Sequence, residues 1–138
     1  MKRSKPNEPK VRVAHRDTRT WEPIESYTTT DVWEDGWIGV SGGMTITPPD
    51  WARSIRIVGN KLKHPEHLRL AVTVNGVEVR REILAIGHFI VDLPYSQRGG
   101  TLNLTFSADS SYVPAEVGIN GDDLRNLSWI LVAVQAAR

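Results

Sequence analysis

The chain has 138 residues, which is enough for one domain but too few for two of ordinary size. It contains no cysteine, and this excludes a disulfide scaffold, a cysteine-ligated metal site and a thiol nucleophile. No apolar run approaches the roughly 20 residues of a transmembrane helix, so we expect no membrane span. No apolar stretch follows the basic start of the chain. We therefore expect no secretory signal, and either a cytoplasmic protein or a module excised from a larger one.

The net charge of +1 conceals an uneven distribution of charged residues. Residues 1–19 carry seven basic and two acidic side chains, whereas residues 20–138 carry an excess of acidic ones. We predict a poorly ordered basic arm over 1–19 and one β-sandwich domain over 20–138. The alternative is an arm that contacts nucleic acid or another polyanion. The acidic body disfavours nucleic acid as a partner.

Apolar residues that alternate with polar ones predict strands, in chain order, at 44–48, 54–58, 68–74, 77–80, 87–94 and 101–107. The period of two is clearest at Leu68, Leu70 and Val72. Asn75-Gly76 follows that strand directly and predicts a tight hairpin, because a type I′ turn needs positive φ at both central residues. Strands and turns about ten residues apart are typical of an all-β sandwich or barrel.

The C-terminal segment fits two structures. Leu124, Leu127 and Leu131 have the spacing of one helix face. The continuous apolar run from Trp129 to Val134 is instead typical of a strand that is buried on both faces. We predict a short turn over 122–126 and then a closing strand.

The sequence marks no catalytic centre. Its serines stand in no G-x-S-x-G elbow, and it has no glycine-rich phosphate loop or dinucleotide fingerprint. His64-Pro65-Glu66-His67 has the H-x-x-H spacing of metal ligands, but its proline and charged neighbours favour an exposed loop. The neighbouring carboxylates Asp122 and Asp123 converge only if they lie in a turn. We predict that the protein is not an enzyme.

Five tryptophans are many for a chain of this length, and they divide into two predicted groups. We expect Trp37 and Trp129 to fill the core, with each indole N–H bonded to a backbone carbonyl. Trp21, Trp33 and Trp51 lie among polar and turn-forming residues. A flat indole in such a place is a platform for stacking on a sugar ring or a base, so these three are the candidate ligand platforms.

The segment 112–125 is longer than most connections between strands, which indicates a functional loop or a structural clamp. Its polar side chains suit the hydroxyl groups of a sugar, and Arg125 can pair with a carboxylate in bidentate fashion. Calcium needs several converging oxygens, which Asp122 and Asp123 could supply with Asp109, Glu116 and Asn120. The simpler interpretation is a self-capping loop with an internal ion pair.

Three motifs occur together in a fixed order: Asp35-Gly36-Trp37-Ile38-Gly39, the Asn75-Gly76 hairpin, and the segment from Tyr112 to Ser128. In this order they resemble a small β-sandwich module appended to bacterial glycosyltransferases and other surface-polysaccharide proteins. The resemblance covers about residues 30–135. It implies a jelly-roll sandwich in a carbohydrate context, without catalysis, and it carries over no set of ligand residues.

We therefore expect a single antiparallel β-sandwich of jelly-roll type that acts as a non-catalytic carbohydrate-binding or glycan-associated accessory module. The predicted ligand residues combine aromatic platforms with the polar loop: Trp33, Trp51, Tyr112, Glu116, Asn120, Asp122 and Arg125. The predicted partners are a glycan or a glycosyltransferase-type domain, and calcium is the one candidate cofactor. The alternative is a structural module that pairs with other subunits, including copies of itself, and binds no ligand.

Overall fold

The computed structural model describes residues 17–95 and 100–138, and within these ranges every regular element is a strand. The nine strands are β1 (Glu22–Pro23), β2 (Tyr27–Val32), β3 (Trp37–Ile46), β4 (Ser54–Lys61), β5 (Arg69–Val74), β6 (Val77–Ile83), β7 (Gly87–Leu93), β8 (Leu102–Ala108) and β9 (Trp129–Ala137). All of their pairings are antiparallel. The predicted all-β class is therefore confirmed.

The strand order is that of a jelly roll. One sheet has the order β2-β3-β8-β5-β6, and the other has the order β1-β9-β4-β7. Only Trp37↔Ile130 and Ile38↔Trp129 join β3 to β9, so the hydrogen-bonded path divides there into two layers. From β3 to β9, the β5–β6 turn joins two neighbouring strands of the same sheet. Every other pair of consecutive strands has one strand in each sheet.

The short hairpin between β5 and β6 has the predicted geometry. Val74 pairs with Val77, and only Asn75 and Gly76 lie between them. Their φ angles are 50° and 86°, so both central residues have the positive φ that a type I′ turn requires. Asn75 Oδ1 also accepts a hydrogen bond from the Asn103 backbone N–H at 2.9 Å, which ties the turn to β8. The predicted hairpin is confirmed.

The core lies between the two sheets and is formed by the alternate side chains of each central strand that point inward. In β4 and β8 buried residues alternate with more exposed ones, as the period of two predicts. Trp129 is fully buried, with the rings of Phe106 and Phe89 at 5.2 and 5.6 Å from its own. Gly59 leaves room for this cluster, because a Cβ there would lie 2.4 Å from Phe89.

Two core predictions need correction. The expected hydrogen bond from the Trp129 indole to a backbone carbonyl does not form, since Nε1 has no acceptor among the described residues. Trp37 is only half-buried, because it stands at the first position of β3, where the core meets the loops. The predicted strand at 44–48 overlaps the last three residues of the longer β3, and no strand was predicted where β1 and β2 lie.

The closing strand at the C-terminus is confirmed, because β9 begins at Trp129 and pairs with β4 along most of its length. The helix considered for this segment does not form. In the ranges that the structure describes, no helix is long and apolar enough to cross a membrane. Most of the predicted arm, residues 1–16, lies outside the described residues.

Candidate functional site

Four connections meet at one end of the sandwich, which we call the loop end: 33–36, 62–68, 84–86 and 109–128. Side-chain contacts join three of them. Arg125 reaches Asp35 across the loop end, and the rings of His64 and Tyr112 lie 5.5 Å apart. The fourth connection is held by the backbone, since the Leu84 N–H donates to the Leu68 carbonyl at 2.9 Å. Residues distant in the sequence therefore form one surface here.

The long connection between β8 and β9 is closed at its base. Tyr112 and Leu127 form an isolated bridge, with two backbone hydrogen bonds of 2.9 and 2.8 Å. Beneath this bridge the hydroxyl of Ser128, which is fully buried, donates to the Ser110 carbonyl at 2.5 Å. The segment 113–126 is thus a closed loop on the sandwich.

Polar contacts inside the loop fix its shape. The Asn120 side-chain oxygen accepts the Asp122 backbone N–H at 3.0 Å, as in an Asx turn. Across the loop, the Ala115 N–H donates to the Asp123 carbonyl at 3.0 Å. The loop therefore caps itself, as the simpler interpretation of the sequence predicted.

Arg125 connects two carboxylates from different parts of the chain. It donates to Asp123 through Nε and a terminal nitrogen at 3.0 and 2.9 Å, and its other terminal nitrogen donates to Asp35 at 3.1 Å. These hydrogen bonds lower the pKa of both aspartates, and the two carboxylates raise the pKa of the guanidinium. Arg125 also lies over the Trp33 ring, with its guanidinium carbon 5.2 Å from the ring centroid.

A cleft of about 530 Å³, the loop cleft, lies beside this ion network. This volume is within the usual range of small-molecule sites. Its lining residues come from β3, the 62–68 connection and the long loop: Trp37, Leu62, Lys63, His64, Tyr112, Pro114, Val117, Ile119, Asn120, Asp123 and Leu127. The buried Pro114 and Leu127 lie deepest, while exposed residues such as Ile119 and Asn120 form the walls. The loop cleft thus combines aromatic and aliphatic side chains with a few polar ones, among them Asn120 and Asp123.

Aromatic rings surround Tyr112 in the loop cleft. Trp37 lies edge-on to it, with the ring centroids 6.0 Å apart, and His64 lies tilted against it. Burial, and then the charge of Asp123, raises the pKa of the Tyr112 hydroxyl, which therefore stays protonated at neutral pH. The phenol can both donate and accept a hydrogen bond at this site.

The structure brings most of the predicted ligand residues together. Tyr112 and Asn120 line the loop cleft. Asn120 also lines an adjoining depression of about 670 Å³ with Trp33, Asp122 and Arg125. Glu116 is exposed on the same loop. Six of the seven residues therefore lie at the loop end.

Trp51 is the exception, because it lies at the opposite end of the sandwich, in the connection after β3. It packs against the core, and the Arg138 guanidinium lies over its ring at 4.5 Å. The third platform candidate, Trp21, is covered as well: the guanidinium carbons of Arg56 and Arg19 lie 4.0 and 4.7 Å from its ring centroid. A ligand would have to displace an arginine from either ring.

Sequence reasoning missed the apolar walls of the loop cleft, formed by Leu62, Val117 and Ile119. Each is a large apolar residue inside a predicted loop, which marks it individually but does not indicate that the three meet. The predicted exposed loop is wrong for His64. This residue is half-buried against Tyr112, and Pro65 beside it is buried. Only the end of the motif at Glu66-His67 is exposed.

No group of three or more histidine, aspartate or glutamate side chains is placed to hold a metal ion within 17–95 and 100–138. Both side-chain oxygens of Asp123 accept hydrogen bonds from Arg125. Calcium at Asp122 and Asp123 remains a prediction.

No protein-family model matches the chain, and no curated protein matches it. Among solved structures the fold is similar to part of an acetyl xylan esterase from the rumen bacterium Butyrivibrio proteoclasticus, with a TM-score of 0.57 and 10% sequence identity. The match covers 88% of this chain and 33% of the esterase chain, so the chain spans about a third of that enzyme's length. At this identity the likeness concerns the fold alone.

Proposed function

We propose that the protein is a non-catalytic carbohydrate-binding module and that the glycan binds in the loop cleft. The observation that carries this proposal is the composition of the cleft, where aromatic rings and apolar side chains lie beside a few polar groups. Sugars have the matching chemistry, because their C–H faces pack on aromatic rings while their hydroxyls hydrogen-bond to amides and carboxylates.

The polar groups at the loop end suit binding more than catalysis. A hydrolytic serine needs a base within hydrogen-bonding reach, and no described serine bonds to a histidine. Asp35 and Asp123 are held as anions by Arg125, which makes either of them a poor general acid. The likeness to part of an esterase is compatible with an accessory role, since this chain matches only a third of that protein.

The module is proposed to serve a partner domain of the glycosyltransferase type or another protein of surface polysaccharides, with no resident cofactor. The support is the ordered motifs from Asp35 to Ser128 that resemble such appended modules. A weak site is expected, with a Kd in about the micromolar to millimolar range, because the cleft is shallow and few groups are ordered on binding. Such a site acts by raising the local glycan concentration for its partner.

The test is a titration with bacterial polysaccharide fragments, followed by intrinsic fluorescence, because Trp37 lines the loop cleft and reports on its occupancy. We expect a saturable change with at least one class of glycan. Ile119→Ser should weaken binding by about tenfold without lowering the melting temperature, since Ile119 is 59% exposed. Ile90→Ser is the matched control, because Ile90 is 49% exposed on β7 and does not line the cleft.

Two results would contradict the proposal: a flat response across the panel from folded protein, or an equal loss of binding in both variants. Each titration is repeated with calcium and with a chelator. Binding that needs calcium, and that is lost in Asp122→Asn, would establish the predicted cation site and replace the proposed cofactor-free mode.

One observation favours the assembly module as a second candidate. The long loop carries three exposed apolar residues, since Leu124 is 75% exposed and Val117 and Ile119 are exposed as well. Such residues can be buried against another subunit. Sedimentation over a range of concentrations separates the two functions: an oligomer that Leu124→Ser dissociates would favour assembly, whereas a monomer at all concentrations would count against self-association.

A further inference from the structure

The walls of the loop cleft hold more apolar surface than a simple hexose can use. Leu62, Val117 and Ile119 are all exposed beside the rings of Tyr112 and Trp37. A hexose packs its C–H face on the rings, but its hydroxyl groups would then lose water against these three aliphatic side chains. A ligand that fits both surfaces needs an apolar substituent next to its sugar ring.

Two polar residues of the loop cleft, Asn120 and Asp123, can hydrogen-bond to an amide on that substituent. Asn120 uses its side-chain oxygen to accept the Asp122 N–H, so the side-chain amino group keeps its two donors directed to solvent or ligand. Asp123 Oδ1 already accepts hydrogen bonds from the backbone N–H and Nε of Arg125, whereas Oδ2 accepts from one terminal nitrogen and keeps a lone pair for a further donor. Asn120 can thus donate a hydrogen bond to an acyl carbonyl, and Asp123 can accept one from an amide N–H.

The charge of the loop end restricts the ligand further. The four connections at the loop end carry two basic groups, Lys63 and Arg125, and seven carboxylates: Glu34, Asp35, Glu66, Asp109, Glu116, Asp122 and Asp123. Arg125 is already shared by two of the aspartates. A uronic acid would therefore meet net negative charge and little free positive charge.

We propose that the loop cleft selects neutral N-acetylated hexosamines, with the acyl methyl against Leu62, Val117 and Ile119 and the amide between Asn120 and Asp123. This inference rests on the proposed function, because it names the ligand class of the same cleft. An O-acetyl ester supplies the methyl and the carbonyl but no N–H, so it would bind less tightly than the amide.

The experiment compares sugars that differ in one substituent. Methyl glycosides of the gluco, galacto and manno series are titrated in three forms, with a 2-acetamido group, an unsubstituted 2-hydroxyl, or an O-acetyl group at that position. We expect the acetamido form to bind about tenfold tighter than the parent hexose in at least one series, as burial of one methyl and one or two hydrogen bonds would give. The O-acetyl form should lie between them.

Variants assign the preference to its two parts. Ile119→Ser, which removes the apolar wall for the methyl, and Asn120→Ala, which removes the donor to the carbonyl, should each reduce the advantage of both acylated forms over the parent hexose. Ile90→Ser should leave every ratio unchanged. The inference is overturned if glycans bind with equal affinity in the acetamido and parent forms, or if a uronic acid binds best. If no glycan of any kind binds, the proposed function fails, which is a different result.

Discussion

Two connections in this sandwich achieve their shape by opposite means. The β5–β6 turn is two residues long, and its conformation depends on Asn75 and Gly76, whose positive φ angles match the twist of the strands. The β8–β9 connection spans 109–128 and combines backbone hydrogen bonds at its base with side chains that meet across the fold, such as Arg125 and Asp35. The short turn is a local property of the chain, whereas the long loop is a tertiary one.

The difference matters for function because only the long loop builds a cleft. A two-residue turn leaves no side chains for a ligand, and nothing lies within 4 Å of where a Gly76 Cβ would be. The long loop brings apolar and polar side chains together while many of its backbone N–H groups are hydrogen-bonded. Contacts that hold it from outside, such as the one from Asp35, therefore also shape the loop cleft.

The largest expected effect comes from opening the base of the long loop. Ser128→Ala removes the hydrogen bond from a fully buried hydroxyl to the Ser110 carbonyl and leaves that carbonyl without its partner. We expect the free energy of unfolding to fall by about 1–3 kcal/mol, measured by urea unfolding. Ser107→Ala, at an exposed position of β8, is the control and should change stability by less than about 0.5 kcal/mol. Equal effects in the two variants would show that the loop base does not depend on this contact.

Glycine substitutions compare the two connections directly. Gly76 and Gly118 have φ angles of 86° and 79°, and a Cβ at either position would meet no atom within 4 Å, so alanine adds backbone strain alone. Gly76→Ala should lower the free energy of global unfolding by about 1–2 kcal/mol, because the turn can relieve its strain only if β5 and β6 separate. Gly118→Ala should cost less by urea unfolding, since the loop can relieve its strain by opening locally.

The readout that separates these outcomes is hydrogen exchange. Gly118→Ala should speed exchange across the long loop while the strands keep their protection, whereas Gly76→Ala should speed exchange in the sheets as well. Gly121→Ala is the control, because its φ lies outside the left-handed region and its Cβ would be unobstructed. A loss of global stability in Gly118→Ala as large as that in Gly76→Ala would remove the distinction between a local and a tertiary connection.

The same distinction explains what the sequence could predict. The period of two around Leu70 and the Asn75-Gly76 pair are local signals, and both gave the observed structure. The pairing of Arg125 with Asp123 is also local, at a separation of two residues. Its pairing with Asp35 spans ninety residues, and no pattern within either segment indicates it. The walls of the loop cleft were missed for this reason, because Leu62 and Ile119 become neighbours only in the folded chain.

The smallest expected effect is a pH dependence confined to the long loop. Hydrogen bonds from Arg125 lower the pKa of Asp35 and Asp123 below the ordinary value of 3.8. Because the folded-state pKa is depressed, the ion pairs contribute fully above that value, and the contribution is lost as the pH falls through the lowered folded-state pKa. Carboxyl-carbon NMR titrations should therefore show both aspartates titrating below 3.8, with loop amides shifting in the same range.

Arg125→Gln sharpens this last comparison, since it removes the charge that lowers both pKa values. Both titrations should move up towards the ordinary range, and the loop amides should lose their protection at neutral pH. Glu78 provides an internal control, because its pKa is lowered by Arg81 on β6 and not by any residue of the loop. A shift of Glu78 in the same variant would mean that the sheets had rearranged. Loop amides that keep their protection in this variant would mean that the long loop is held by its own backbone, as the short turn is.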